Sequence, residues 1–163
     1  MGEAGEMLDR AAARADELAA GELTSRPRRA IAILACMDAR IDLYSLLGLE
    51  RGDAHIIRNA GGLVTDDALR SLSASQRLLG TERIVVVMHE GCGLLGASDE
   101  EFAETLRSDG AEPAWSLGGF DDLDGALRAG LERLRRAPEL AAREQIHGFI
   151  FDPDAGTLRD IEA

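Results

Sequence analysis

Apolar runs too short to be helices punctuate this chain, and stretches with a helical period separate them. Residues 31–35 (IAILA), 54–58 (AHIIR), 83–88 (RIVVVM) and 146–151 (IHGFIF) read as strands. The first and third are almost wholly aliphatic, as strands buried on both faces require. Residues 64–79 repeat every three or four positions through Leu69, Leu72, Gln76 and Leu79. Thr65 is a natural N-cap there, Asp66 and Asp67 suit the positive end of the helix dipole, and Gly80 ends it. Ser98 and Glu101 make a capping box for a helix reaching about residue 108. Residues 121–137 place Leu123, Leu127, Leu131 and Leu134 on one face, acids early and arginines late, so Arg133, Arg135 and Arg136 read as a solvated helix end. Residues 41–47 give one or two helical turns stopped by Gly48, and 157–161 an antiparallel edge strand after a turn at 152–156. The spacing of Met7, Leu8, Ala11, Ala12, Ala15, Leu18 and Ala19 predicts an amphipathic helix over 6–20 with a weak apolar stripe.

Strands alternating with helices imply an α/β fold: a mostly parallel central sheet of four strands plus an antiparallel edge strand, helices on both faces, and an amphipathic N-terminal helix. Residues 1–25 form an N-terminal helix and arm, and residues 26–163 the α/β domain. With 163 residues, one domain suffices to bury roughly two-thirds of the unfolded surface. Aromatics are only 4% of the chain, so the core is aliphatic and a partner subunit is a natural cover for leftover apolar surface. A formal net charge of −12 argues against nucleic acid and against anionic membranes, which need clustered Lys and Arg. No window approaches the roughly 18 apolar residues of a membrane span, and the first residues lack an apolar leader, so a cytoplasmic protein is expected.

Chemistry gathers where two of the strands stop. The run at 31–35 gives way to Cys36, Asp38 and Arg40. If the backbone stays extended that far, the three side chains emerge on one side. The run at 83–88 leads to His89 and, three residues on, Cys92. The only two cysteines therefore sit just past strand ends, and in parallel sheets ligands bind beyond the carboxyl ends of strands where strand order reverses. If these two strands are neighbours, Cys36, His89 and Cys92 converge. Two thiolates and one imidazole make a three-ligand zinc site with a fourth position for water, the catalytic pattern. Zinc lowers the pKa of its water from about 15.7 toward roughly 7. Two thiolates offset the ion's charge, so activity rising toward alkaline pH is expected. Asp38 is the candidate to accept a hydrogen bond from the resulting hydroxide and point its lone pair at the substrate. Arg40 clamps Asp38 through a charge-assisted pair; released, Asp38 becomes a possible fourth metal ligand that closes the site.

This pattern resembles the β-class carbonic anhydrases, in their short bacterial branch. Cys36-Met37-Asp38-Ala39-Arg40 matches the Cys-x-Asp-x-Arg motif of that family, and His89-Glu90-Gly91-Cys92-Gly93 its His-x-x-Cys-Gly motif. The likeness runs on through Arg58-Asn59-Ala60-Gly61-Gly62, Thr65-Asp66-Asp67, Ser75-Gln76-Arg77 and the hairpin around Gly148-Phe149. It implies reversible hydration of carbon dioxide to bicarbonate, Zn2+ on Cys36, His89 and Cys92, and an Asp38-Arg40 dyad. It also implies a homodimer or dimer of dimers embraced by the N-terminal helix. One departure stands out: the branch commonly has Thr-Asp where this chain has Glu90-Gly91.

Other readings compete. Proteins of the same fold hydrolyse carbon disulfide or carbonyl sulfide, and a homologue could keep the zinc without turnover. Gly91-Cys92-Gly93-Leu94-Leu95-Gly96 is a literal G-x-G-x-x-G after a strand, but no second strand ending in an acid follows it, which disfavours a dinucleotide. His55 and His147 lack ligand spacing and read as packed or surface residues.

Overall fold

The structure, a computed structural model, describes residues 2–161. Five strands form one sheet, β1 (Ile31–Cys36), β2 (Ala54–Asn59), β3 (Arg83–His89), β4 (Ile146–Asp152) and β5 (Thr157–Ile161), in the order β2-β1-β3-β4-β5. The first four are parallel, and β5 pairs antiparallel with β4, its Leu158 opposite Phe151. From β1 the chain first adds β2 on one side, then returns to place β3 on the other. The direction of winding reverses between β1 and β3, so their carboxyl ends flank the crevice where α/β sheets bind ligands.

Alternation along the strands supplies two cores. Ala32, Leu34, Ile84, Val86, Met88 and Ile150 face α4 (Asp66–Leu79) and α6 (Leu123–Arg136), which contribute Ala68, Leu72, Leu127, Leu131 and Leu134. Ile33, Ala35, Val87 and Phe151 face the other way, toward Ile41, Leu43 of α3 (Leu43–Leu47), and Leu94. Cys36 and Cys92 belong to this second core. The end signals behave as their chemistry demands. Thr65 accepts from the Ala68 amide, Ser98 accepts from the Glu101 amide at the start of α5 (Asp99–Ser108), and Gly48 and Gly80 close α3 and α4 in the left-handed conformation.

Three expectations need correction. The amphipathic N-terminal segment is two helices, α1 (Glu3–Ala13) and α2 (Ala15–Leu18), broken at Arg14, and neither buries a residue. An alanine stripe offers too little area to anchor a helix on its own domain. What ties this arm down is Arg51, whose guanidinium donates to the carbonyls of Glu17, Leu18 and Ala19. Second, Arg133 is not a solvated helix end; it reaches across to the Val64 carbonyl and the Asp66 carboxylate, docking α6 on the first turn of α4. The third correction lies at the end of β1 and shapes the site.

Candidate metal centre

Cys36 and His89 are the last residues of β1 and β3 rather than residues beyond them. The extended path does not continue to Arg40. Met37 donates its amide to Asn59 O, and the chain then turns, with Ile41 N on Asp38 O at 3.1 Å and Arg40 N on Asp38 Oδ1 at 2.9 Å. A short acidic side chain that captures the amide two residues on is how an Asx turn forms. The turn brings Arg40 over Asp38, where extension would have aligned the two in a row. Arg40 Nε donates to Oδ1 at 3.0 Å and Nη2 to Oδ2 at 2.9 Å, a two-pronged pair, with a further reach from Nη2 to Gly91 O at 3.3 Å. That guanidinium holds the Asp38 carboxyl well below the usual carboxylate range.

From the other side, Gly91 at φ +64° turns the chain so that Cys92 returns to the crevice. The ligand atoms of Cys36, His89 and Cys92 lie within 4.8 Å of one another, and all three residues are buried. His89 is fully buried, its Nδ1 on Glu90 O at 2.9 Å. That bond puts the ring proton on Nδ1 and leaves a lone pair on Nε2. Nε2 has no hydrogen-bond partner, the one such buried side-chain atom among the described residues. An unpartnered buried nitrogen costs on the order of 1–3 kcal/mol. A cation between the two sulfurs would satisfy it, so the donor set fits a thiophilic metal such as zinc. Burial, and then the neighbouring Cys36 thiol, push the Cys92 pKa up, which a bound cation reverses as thiolates form and protons leave. Asp38 Oδ2 lies 3.7 Å from His89 Nε2, beside the ligands but turned toward Arg40.

Two supports stand out in the sequence only as part of a matching run, with no role. Arg58, on β2, donates from Nε to Cys36 O at 2.9 Å and from Nη2 to Asp38 O at 2.6 Å, fixing the backbone on both sides of Met37. Asn59 bridges Leu63 N and O and shapes the 3-10 turn Ala60–Gly62. Both roles depend on β2 lying beside β1, and neither residue has a local pattern that announces it. The Gly91 to Gly96 segment makes successive turns and opens no helix; α5 starts only at Asp99, away from the geometry that cradles a pyrophosphate. His55 is satisfied at both nitrogens, by Ser75 Oγ and Ser25 O, and His147 is exposed.

A family model described as carbonic anhydrase matches residues 31–114. The chain is 42% identical to beta-carbonic anhydrase 1 of Mycobacterium tuberculosis over 86% of this chain and 87% of that one. It is also 32% identical to a carbon disulfide hydrolase of Acidianus sp., over 94% of this chain and 88% of the other. Among solved structures, a carbonic anhydrase from Streptococcus mutans matches with a TM-score of 0.91 at 35% identity, covering 99% of both chains. The apo form of a carbon disulfide hydrolase matches with a TM-score of 0.76 at 31% identity, covering 97% of this chain and 91% of that one.

Proposed function

Because the chain belongs to the β-carbonic anhydrase family, we propose that it catalyses the reversible hydration of carbon dioxide to bicarbonate with zinc held by Cys36, His89 and Cys92. The observation that carries this reading is the convergence of two buried sulfurs and an unpartnered imidazole nitrogen at the β1/β3 crevice. When bound, zinc supplies Lewis acidity, making water a usable nucleophile near neutral pH. Everything else falls to the chain. Asp38, kept ionised by Arg40, has acceptor lone pairs to spare for the proton of the attacking water and so aims that water at carbon. Arg40 also restrains Asp38 from swinging onto the metal as a fourth ligand; its release would close the site. Arg58 keeps the Cys36 and Asp38 carbonyls in place while this occurs. Leu94 and Phe151 pack in the same buried cluster as Cys36 and Cys92, and apolar surroundings of this kind suit an uncharged substrate.

The same reading takes residues 1–25 as an arm that docks on a second copy of the chain. Support comes from α1 and α2, which bury nothing on their own domain and leave Met7, Leu8 and Leu18 exposed. No helix among the described residues is long and apolar enough to cross a membrane. Two thiols that must remain reduced to serve as ligands favour the cytoplasm.

Hydrolysis of carbon disulfide or carbonyl sulfide is the second reading, supported by the relatives named carbon disulfide hydrolases. Zinc content and stopped-flow carbon dioxide hydration, run beside a carbon disulfide assay, separate the two. One zinc per chain and hydration abolished by a chelator are expected. Stoichiometric zinc with carbon disulfide turnover alone would select the second reading, zinc without either activity a binding protein, and a folded metal-free protein would remove both enzymes.

A further inference from the structure

The Glu90 carboxylate and its ion-pair partners have no part in the chemistry above, yet Glu90 carries one atom on which that chemistry depends. That atom is the Glu90 carbonyl oxygen, the acceptor for His89 Nδ1. A carbonyl in this position fixes the tautomer and ring direction of a ligating histidine. The peptide that carries it runs into Gly91, whose φ of +64° and lack of a side chain leave the plane little local restraint. Restraint comes from elsewhere. The Glu90 amide donates to Phe151 O of β4 at 2.9 Å. Its carboxylate accepts from Arg159 Nη2 of β5 at 3.1 Å. Arg159 is itself forked onto Asp124 in the first turn of α6, Nη1 to Oδ2 at 2.9 Å and Nη2 to Oδ1. Strands β4 and β5 thus hold the residue following His89 directly, and α6 backs them through Arg159. Their side chains are 40–45% exposed, so each pair adds little to global stability.

We infer that Arg159 is a positioning residue for His89: anchored by Asp124, it holds Glu90 so that the Glu90 carbonyl keeps the proton on Nδ1 and leaves Nε2 free for the metal. This rests on the zinc reading for its consequence but not for its geometry. The edge strand β5, remote from the crevice in sequence, thereby sets how well the imidazole is presented.

The test compares wild type with Arg159→Gln, Arg159→Lys and Glu90→Gln. Zinc affinity is measured by chelator competition at one pH, the His89 tautomer of the metal-free protein by nitrogen-15 NMR, and melting of the metal-free protein alongside. Arg159→Gln and Glu90→Gln are expected to weaken zinc binding about tenfold, the lower end for partners that orient a ligand. Both should replace a single Nδ1-protonated form by a mixture, with metal-free melting little changed. Arg159→Lys, which keeps a charge on Glu90, should recover most of the affinity. Zinc affinity within twofold of wild type together with an unaltered tautomer would overturn the inference. So would losses that follow the melting temperature equally in the Gln and Lys variants, since that is a structural effect alone. If wild type binds no zinc, the zinc reading fails while the NMR comparison still decides the role of Arg159.

Discussion

Gly62 packs its backbone against β1 and β3 at once. A Cβ there would lie 2.9 Å from both Cys36 N and Val87 O, and these are main-chain atoms that cannot rotate aside. Its φ of +67° also disfavours any side chain. Gly62→Ala is therefore expected to lose roughly 1–3 kcal/mol in urea denaturation, as overpacking does, and to bind zinc more weakly because Cys36 shifts with its strand. Unchanged stability would mean the strands give more easily than this packing implies. Two further substitutions separate holding the metal from using it. Cys92→Ala should lose zinc and turnover together, since two protein ligands hold the ion poorly; full zinc occupancy in that variant would refute its place as a ligand. Asp38→Ala should retain zinc, measured by atomic absorption, while turnover falls by about 10²–10⁴-fold, the range for a lost proton acceptor. Wild-type turnover would take Asp38 out of the mechanism. The identity of these residues was visible in the chain because each stands where an apolar run breaks off into polar chemistry. Gly62, Arg58 and Glu90 stood out only as members of matching runs, and Gly62 as one of a glycine pair open to close approach; what each supports was hidden, because their contacts are fixed by strands far away in sequence.

Among the elements, α6 has the most consequential seat. Its four leucines are buried, as their spacing foretold, and Leu131 rests directly on β4 at Gly148, where even a methyl group would collide with it. The absence of a side chain at Gly148 is what lets the helix approach this strand. Leu131→Ala leaves a cavity there and should cost roughly 2–5 kcal/mol, read as a lower urea midpoint with an unchanged slope. A loss below 1 kcal/mol would show that α6 settles to fill the gap. Sequence periodicity found this helix and its buried face. It misread Arg133 near its end, because that residue has a partner in α4 that only the packed structure supplies. The N-terminal segment differs in another way: its period is real, but the helix breaks at Arg14, and where its alanine-rich face packs was left open by the sequence.

At the scale of the whole molecule, acid stability is tied to Asp53, buried where the connector from the N-terminal arm enters the sheet. The Glu50 amide, then the Arg28 guanidinium, hold its carboxyl below the usual range, with Arg29 also in contact. A depressed native pKa means the stabilisation is complete above the ordinary aspartate value of about 3.9 and is lost as pH falls through the native one. Asp53→Asn should melt lower than wild type at pH 7 and fall less steeply below about pH 4 in melting temperature measured against pH. Parallel curves would show that this carboxylate is not what acid attacks.

The amino-acid sequence determined the elements of this protein and the identities of the side chains available to hold a metal. Helical period, strand alternation and capping are set within a few residues, and Cys36, His89 and Cys92 bear their chemistry wherever they lie. Tertiary structure alone decided the rest. Whether two strand ends meet over one cation depends on β1 and β3 being neighbours, a result of which faces bury against which helices. The grip of Arg58 on two carbonyls and the line from Asp124 through Arg159 to Glu90 join groups whose separation in space the local pattern does not encode. Local bonding fixes each segment's form; only packing of the whole chain selects which segments touch.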